Sequence, residues 1–519
     1  MFASSFLSLA ALYAAATLAA PTPSASSPTV QLDNATFVGI SDGTTDSFLG
    51  IKFADAPDLT FPFLLNRSDT VSSLANQLPG NPLAAKLQAR ADVPPSEDCL
   101  NLNVYVPAGT NSTARLPVAV WIFGGGFETG SADTVDGGVI VKRSVELGEP
   151  VVYVGMNYRV STFGFIAGQE IKAAGVGNIG LEDQRVALQW IQKYITLLEA
   201  IRIESQCNWG ESAGAISVSL QMLTNGGDAE GLFHGAFMQS GAPIPVGDIS
   251  RGQAEYDQLV QETSCGNASD TLECLRALPY DTLKQAVDQS PGIISQQSLR
   301  LAWLPRVDGR FLTDTPQNLV LHGSIAPVPH VSGNVNDEGT VFSLINSLTV
   351  LDDAAFRAYM LSNYIDGATE SDVGDLFDTD YPDDPTQGSP FGTGILYAIP
   401  PQYKRLAAIQ GDLVFQAPRR FFVEQTYDRQ PTWSFLSKRA PGLPRLGAYH
   451  GSDLINNIYA PGDMTDYLVH FVNHGDPNGA EENLIDWPQY DTETRQQMTF
   501  VDDDDTPLVI TNDTYRVNG

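Results

Sequence analysis

An α/β fold with a large, mostly parallel central sheet flanked by helices is predicted by three features of the sequence. Gly210-Glu211-Ser212-Ala213-Gly214 has the small-x-Ser-x-small form of a strand-to-helix turn that holds a serine hydroxyl exposed and strained. Ala213 to Leu223 then continues as a small, apolar, helix-compatible run up to the breaker Asn225-Gly226-Gly227, and a strand-like Ala236-Phe237-Met238 follows. The other two features are strands that end in chemically suggestive loops. Pro117 to Phe123 is apolar and runs into Gly124-Gly125-Gly126-Phe127, where three glycines let backbone N–H groups turn inward toward an anion. His330 to Val335 opens into Asn336-Asp337-Glu338-Gly339-Thr340, a loop with two adjacent carboxylates.

The chain begins with Met1 to Ala20, which has no Arg or Lys but an apolar stretch from Phe6 to Leu18 and a small-residue exit before Pro21-Thr22-Pro23. This predicts a secretory signal peptide over residues 1–20, leaving 21–519 as a single domain, since no linker or internal repeat divides the remainder. No other segment is long and apolar enough to span a bilayer. Five acceptor sequons at Asn34, Asn66, Asn111, Asn267 and Asn512 fit an exported glycoprotein. The formal charge of −32 argues against nucleic acid and anionic membrane surfaces as partners. Ala35 to Ile40 and Ser47 to Phe53 read as two strands of a hairpin, so Ser41 in Gly39-Ile40-Ser41-Asp42-Gly43 is a turn residue although it shares the pattern around Ser212.

Longer motifs carry a resemblance. Ser96-Glu97-Asp98-Cys99-Leu100-Asn101-Leu102-Asn103-Val104, Trp121-Ile122-Phe123-Gly124-Gly125-Gly126-Phe127, Asn157-Tyr158-Arg159-Val160, Gly177-Asn178-Ile179-Gly180-Leu181-Glu182-Asp183-Gln184, the Ser212 turn, and Met238-Gln239-Ser240-Gly241-Ala242 occur in the order seen in the type-B carboxylesterase and lipase family. The chain resembles that family from about Phe37 nearly to its C-terminus. The resemblance implies the α/β-hydrolase fold, with helical insertions, and hydrolysis of carboxylic esters.

In that fold class the order is serine, acid, histidine, so His450, His470 and His474 are favoured over His234, His322 and His330. His450 sits in the glycine-flanked Leu446-Gly447-Ala448-Tyr449-His450-Gly451-Ser452-Asp453-Leu454, a loop suited to a ring that must reach a serine, and matches the family's catalytic histidine. His470 and His474 are four apart on a helix-like stretch, but no Glu follows the first as a zinc-protease helix requires, so they read as ordinary helix residues and no metal is expected. Chemistry alone does not choose between Asp337 and Glu338. The resemblance places the triad carboxylate at Glu338, leaving Asp337 as a hydrogen-bonding loop residue, and it implies oxyanion donors from Gly125, Gly126 and Ala213 with Glu211 as a buried support carboxylate. No cofactor is implied.

Four cysteines allow three full pairings; the short Cys265 to Cys274 separation, with Gly266-Asn267 between, favours that disulfide, which also matches a family bridge. In the family the equivalent of Cys99 pairs with an upstream cysteine at the base of a flap over the active site, but no cysteine precedes Cys99 here, so that bridge is absent or altered. The covering region, about Leu59 to Pro95, departs from the family pattern as well. Between Glu338 and His450 the helix-like stretches Asp353 to Asn363 and Gln402 to Gln425 flank the acidic, proline-bearing Asp375 to Pro390; Phe391, Tyr397 and Phe415 in this region read as core.

These observations predict a secreted serine hydrolase that cleaves small-molecule or lipid esters through an acyl-enzyme, with Ser212, Glu338 and His450 as its triad. The rival reading is a non-catalytic adhesion or binding member of the same fold, which typically lacks a triad member.

One stretch conflicts with the fold. The strand feeding the Ser212 turn belongs at the centre of the sheet, yet Ile201-Arg202-Ile203-Glu204-Ser205-Gln206-Cys207-Asn208 carries charges that are costly to bury. The family normally has a Phe-Gly-Gly-Asp-Pro turn and a Val-Thr-Ile strand here, and suitable codons for Leu198 to Gln206 in a shifted frame spell Phe-Gly-Gly-Asp-Pro-Asp-Arg-Val-Thr. Two readings follow: a splice-site or frame error over Leu198 to Asn208, with the frame regained at Trp209, which is the expectation, or a genuine variant strand. Transcript sequencing across Leu198 to Trp209 checks this; an in-frame message for these residues would overturn it.

Overall fold

A computed structural model describes residues 27–33, 35–54, 98–110, 114–197, 206–365, 367–440, 442–454, 461–479 and 484–514. Within them a hairpin of β1 (Thr29–Leu32) and β2 (Ala35–Val38) precedes one large sheet made of β3 (Ile40–Ser41), β4 (Thr45–Lys52), β5 (Asn101–Pro107), β6 (Val118–Ile122), β7 (Val152–Met156), β8 (Gln206–Glu211), β9 (Gly235–Gln239), β10 (His330–Val335), β11 (Thr432–Ser437), β12 (Gln496–Phe500) and β13 (Leu508–Asn512). The spatial order is β13-β12-β11-β10-β9-β8-β6-β7-β5-β4-β3. Neighbours from β7 through to β12 run parallel, and the strands at both edges run antiparallel.

Helices on both faces explain the strand composition. Every residue of β6, β7, β8, β9, β10 and β11 is buried, as parallel strands covered on two sides must be. The helices that bear on the site are α1 (Gly137–Glu146), α2 (Ile179–Tyr194), α3 (Ala213–Leu223), α4 (Asp353–Asn363), α5 (Tyr403–Gly411), α6 (Ala417–Thr426) and α7 (Asp463–His474). Helix α3 is buried at all its positions, which is why its sequence is small and apolar all round rather than amphipathic. The bounds expected for α3, α4 and β10 from sequence are the bounds observed. Between α5 and α6 the helix widens into a π turn at Asp412–Gln416.

One sequence expectation needs correction. The hairpin over 35–53 is divided: β2 pairs with β1, and only β3 pairs with β4 after the chain changes partner at Gly39, where a side chain would meet the Ser47 carbonyl at 2.8 Å. The described part of the central strand runs from Gln206 to Glu211; residues 198–205, including both charges that conflicted with burial, lie outside the described residues. Buried polarity persists in β8 nonetheless. Gln206 and Asn208 are fully buried, and Gln206 Oε1 accepts from Gln192 Nε2 of α2 at 3.0 Å. Asp375 to Pro390 holds a π-helical turn at Leu376–Asp380 and a short 3-10 turn at Pro385–Gln387.

The insertion between β10 and β11 has its own small core, with Val350, Phe356, Met360, Phe377, Leu406 and Ile409 packed together. Cys265 and Cys274 form the expected disulfide. Cys207, in the middle of the sheet, is a thiol whose pKa burial pushes far up. Cys99 is buried just before β5, and the covering region upstream, with the signal segment, lies outside the described residues. Among the described residues no helix is long and apolar enough to cross a membrane. Asn267 and Asn512 are exposed; Asn34, Asn66 and Asn111 lie outside the described residues.

Candidate active site

The site is assembled at the carboxyl ends of the central strands, where ligands bind in open α/β sheets. At the end of β8 the chain reverses into α3 through Ser212, whose backbone sits at φ 58 and ψ −126, outside the regions a residue with a side chain normally adopts. The glycines flanking it are required by contact. A Cβ on Gly214 would lie 2.0 Å from the Ile122 carbonyl oxygen of β6, and one on Gly210 would lie 2.5 Å from Gly214 itself. The Ser212 N–H donates to the Gln239 carbonyl at 2.9 Å, so the motif after β9 backs the turn.

Ser212, His450 and Glu338, separated in sequence, meet here. His450 Nε2 lies 2.8 Å from Ser212 Oγ, and His450 Nδ1 lies 2.6 Å from Glu338 Oε2. An ionised carboxylate only accepts, so Nδ1 carries the proton and Nε2 presents its lone pair to the serine hydroxyl. The other oxygen of Glu338 accepts from Asn334 Nδ2 at 3.0 Å and the Val335 N–H at 2.9 Å, which fixes the carboxylate. Support extends further. Arg419 of α6 donates to Asn334 Oδ1 at 2.9 Å and forms a two-pronged, fully buried ion pair with Asp513.

Asp337 has a different job. Its Oδ1 accepts from Ser389 Oγ and the Phe391 N–H, and its Oδ2 accepts from the Ala448 N–H at 3.0 Å, so it ties the histidine loop to the insertion. Of the two adjacent carboxylates, Glu338 is the one in contact with the His450 ring. Ser41 is exposed in its hairpin, with Oγ accepting from the Gly43 N–H.

The glycine loop packs directly on the nucleophile. A Cβ on Gly124 would lie 2.9 Å from Ser212 Cβ, and Gly125 and Gly126 follow at φ 102 and 64. Ala213 is the first residue of α3, so its N–H has no acceptor within the helix. Other motifs hold this loop from beneath. Tyr158 stacks on Phe123 and donates its hydroxyl to the Phe123 carbonyl at 2.8 Å, while Arg159 forms a buried two-pronged pair with Asp183 of α2 at 2.7 and 2.6 Å.

Three residues around His450 were not singled out from sequence. Phe415, in the π turn, and Phe342 pack on the imidazole with ring centroids 4.5 and 5.0 Å away. Nothing in their sequence surroundings separates them from core aromatics. Asp453 is fully buried and accepts from Gln239 Nε2 at 2.8 Å; burial raises its carboxyl to about 6. A carboxylate three residues after the histidine, in a glycine-flanked loop, was the available signal. His470 and His474 lie on α7 outside this centre and meet Glu149 instead.

Glu211 Oε1 lies 3.2 Å from His450 Nε2. Burial raises Glu211 to about 8. For His450, burial by itself pulls the pKa down, but the charges of Glu211 and Glu338 and the hydrogen bond donated to Glu338 outweigh it and raise it to about 9. Three buried carboxyl groups around one ring therefore favour the imidazolium that forms when the ring takes a proton.

The fold and this serine, histidine and glutamate arrangement define an α/β-hydrolase. The carboxylesterase family model matches residues 26–514, and the chain belongs to that family. It is similar to lipase 4 of Diutina rugosa, 39% identical with 95% of each chain covered, and to a secreted triacylglycerol lipase of Gibberella zeae, 38% identical with 94% of this chain and 88% of the relative covered. The crystal structure of Aspergillus niger EstA shares the fold, with a TM-score of 0.76 at 24% identity over 91% of this chain and 93% of that one. The protein is a carboxylic ester hydrolase.

An imidazole accepts a proton only when neutral, so the raised pKa of His450 predicts an acid limb of kcat/KM above the ordinary histidine value. In Glu211→Gln one carboxylate that favours the imidazolium is lost, the pKa falls, and the limb should move to lower pH by about 1 unit or more. A pH profile of ester hydrolysis checks this; an upward or absent shift contradicts it.

Proposed function

We propose that the chain, residues 21–519 acting as one domain after removal of a signal peptide, is a secreted esterase that works through a Ser212 acyl-enzyme. The observation that carries this reading is the unbroken hydrogen-bonded series from Glu338 through His450 to Ser212 Oγ. Ser212 Oγ attacks the ester carbonyl carbon as its proton passes to His450 Nε2, and Glu338 stabilises the charged ring. The oxygen that becomes negative is held by the N–H groups of Gly125, Gly126 and Ala213. His450 then gives its proton to the leaving alcohol. Water attacks the acyl-enzyme with His450 again taking a proton, and the acid departs with Ser212 restored.

All three triad positions are filled and in contact, which disfavours a purely adhesive role. Secretion is supported by the apolar N-terminus and sequons and by the similarity to the secreted lipase of Gibberella zeae. Asn34, Asn66, Asn111, Asn267 and Asn512 are its proposed glycan acceptors. For substrate, the absence of a cysteine before Cys99 removes the bridge that anchors a flap in the family. We infer soluble short or medium esters as substrates, with no rate jump at an oil–water interface, because interfacial activation needs a lid that moves.

Hydrolysis of a chromogenic ester by purified variants tests the triad. Ser212→Ala and His450→Ala should each lower kcat by about 10⁵–10⁶, Glu338→Gln by about 10⁴, Asp337→Asn by clearly less, and Ser41→Ala by nearly nothing. Full activity in Ser212→Ala, or equal losses in the two serine variants, would overturn the assignment. For substrate class, kcat/KM across esters of rising acyl length should peak at short or medium chains; strong activation by emulsified triglyceride would contradict it.

A further inference from the structure

Away from the catalytic centre, two histidines and a carboxylate converge on one point. Glu149 lies in the turn between α1 and β7, and its side chain meets one face of α7. His470 Nδ1 is 3.0 Å from both Glu149 oxygens, and His474 Nε2 is 3.0 Å from Oε1. Residues four apart on a helix share a face, so the two rings stand side by side with centroids 4.2 Å apart. The three donor atoms all lie within 4.8 Å of one another.

The frame around these groups is fixed without them. Arg143 of α1 forms a two-pronged pair with Asp466, one turn before His470 on α7, at 2.7 Å to each oxygen. Asn473 Nδ2 donates to the Glu149 carbonyl at 3.1 Å, and the Glu149 N–H donates to the Ser144 carbonyl at 2.9 Å. The turn and the helix are thus clamped on both sides of the cluster, and the carboxylate is delivered to the ring nitrogens by its backbone position.

A carboxylate between two imidazoles also describes a plain ion pair. Two features favour a metal. Adjacent ligands of a tetrahedral zinc with bonds of 2.0–2.1 Å stand roughly 3.3 Å apart, close to the 3.0 Å nitrogen–oxygen separations here, and two imidazoles with one carboxylate are donors that zinc takes. Exposure is also graded: His470 is 8% exposed, whereas the side chain of Glu149 is 22% and that of His474 is 51% exposed. The inner ligand is held and the outer one faces solvent, which leaves an entry path and room for water. The cluster sits at the C-terminal end of α7, where the helix carbonyls favour a cation.

We propose that Glu149, His470 and His474 form a zinc site of two nitrogens and one oxygen, completed by water, that staples the turn between α1 and β7 to α7. On binding, a neutral ring shifts its proton from the nitrogen facing the carboxylate to the other ring nitrogen, so that a lone pair faces the metal. A doubly protonated ring releases one proton instead. The histidine spacing was visible in the sequence; the third donor comes from a turn more than three hundred residues upstream.

The test uses the full chain without a polyhistidine tag, treated with chelator and titrated with zinc chloride in a calorimeter. The parent should take up one equivalent. His474→Ala, an exposed change that leaves the clamps in place, and Glu149→Gln should each weaken binding at least tenfold while leaving ester hydrolysis of the zinc-free protein unchanged. Zinc at a hundredfold excess over its Kd should raise the parent's Tm by about 2–3 °C and the variants' by less than half of that. With copper(II), the parent's paramagnetic resonance spectrum should show two imidazole nitrogens. Zinc uptake that is equal in parent and variants, or that vanishes only in His450→Ala, would overturn the proposal, as would a parent that takes up no zinc.

Discussion

The site depends on the backbone at Ser212. A residue with a side chain held at φ 58 and ψ −126 is strained, and the strain persists only because its surroundings leave no alternative. Those surroundings are close backbone approaches: Gly214 beneath the Ile122 carbonyl, Gly210 against Gly214, and Gly241 beside the Ser212 carbonyl, each too near for any Cβ. Because β6 and β8 are sheet neighbours, the glycine loop that follows β6 is brought against the serine by the same packing. Nucleophile and anion-binding loop are therefore consequences of one strand pairing.

Electrostatics supplies the second constraint. His450 is enclosed by Phe342 and Phe415, and this burial disfavours a charged ring, but the buried carboxyl groups around it favour the charge and prevail. The orienting carboxylate is itself part of a longer series that runs from Asp513 through Arg419 and Asn334 to Glu338. The chain's last described segment thus helps to place the imidazole, although it is far from the chemistry in sequence. Breaking this series midway would leave a buried charge without its partner, which is more harmful than removing an exposed ion pair.

Long motifs were legible because each combines local geometry with chemistry. The run from Gly210 to Leu223 is small where backbones touch and apolar where α3 is enclosed, and its helix has the expected bounds. Strand β10 was readable for a similar reason, as an apolar run ending in a loop. Less legible was β8, whose buried Gln206 is held by Gln192 of α2, a neighbour no local pattern reveals, and the hairpin near Gly39, where a close carbonyl forces a change of partner. Phe415 looked like core and is core, but the imidazole is what it packs against.

The sequence by itself determined the fold class and singled out Ser212 and the histidine loop as candidates, because strand-turn-helix chemistry is written in adjacent residues. Only the tertiary structure shows the different partners of Asp337 and Glu338, adjacent residues of one loop: one accepts from the Ala448 N–H, the other meets the ring. It likewise added Asp453 and Phe415 to the site and brought Glu149 to His470 and His474. These are contacts between segments distant in the chain, and their geometry is fixed by packing, which no local stretch of residues encodes.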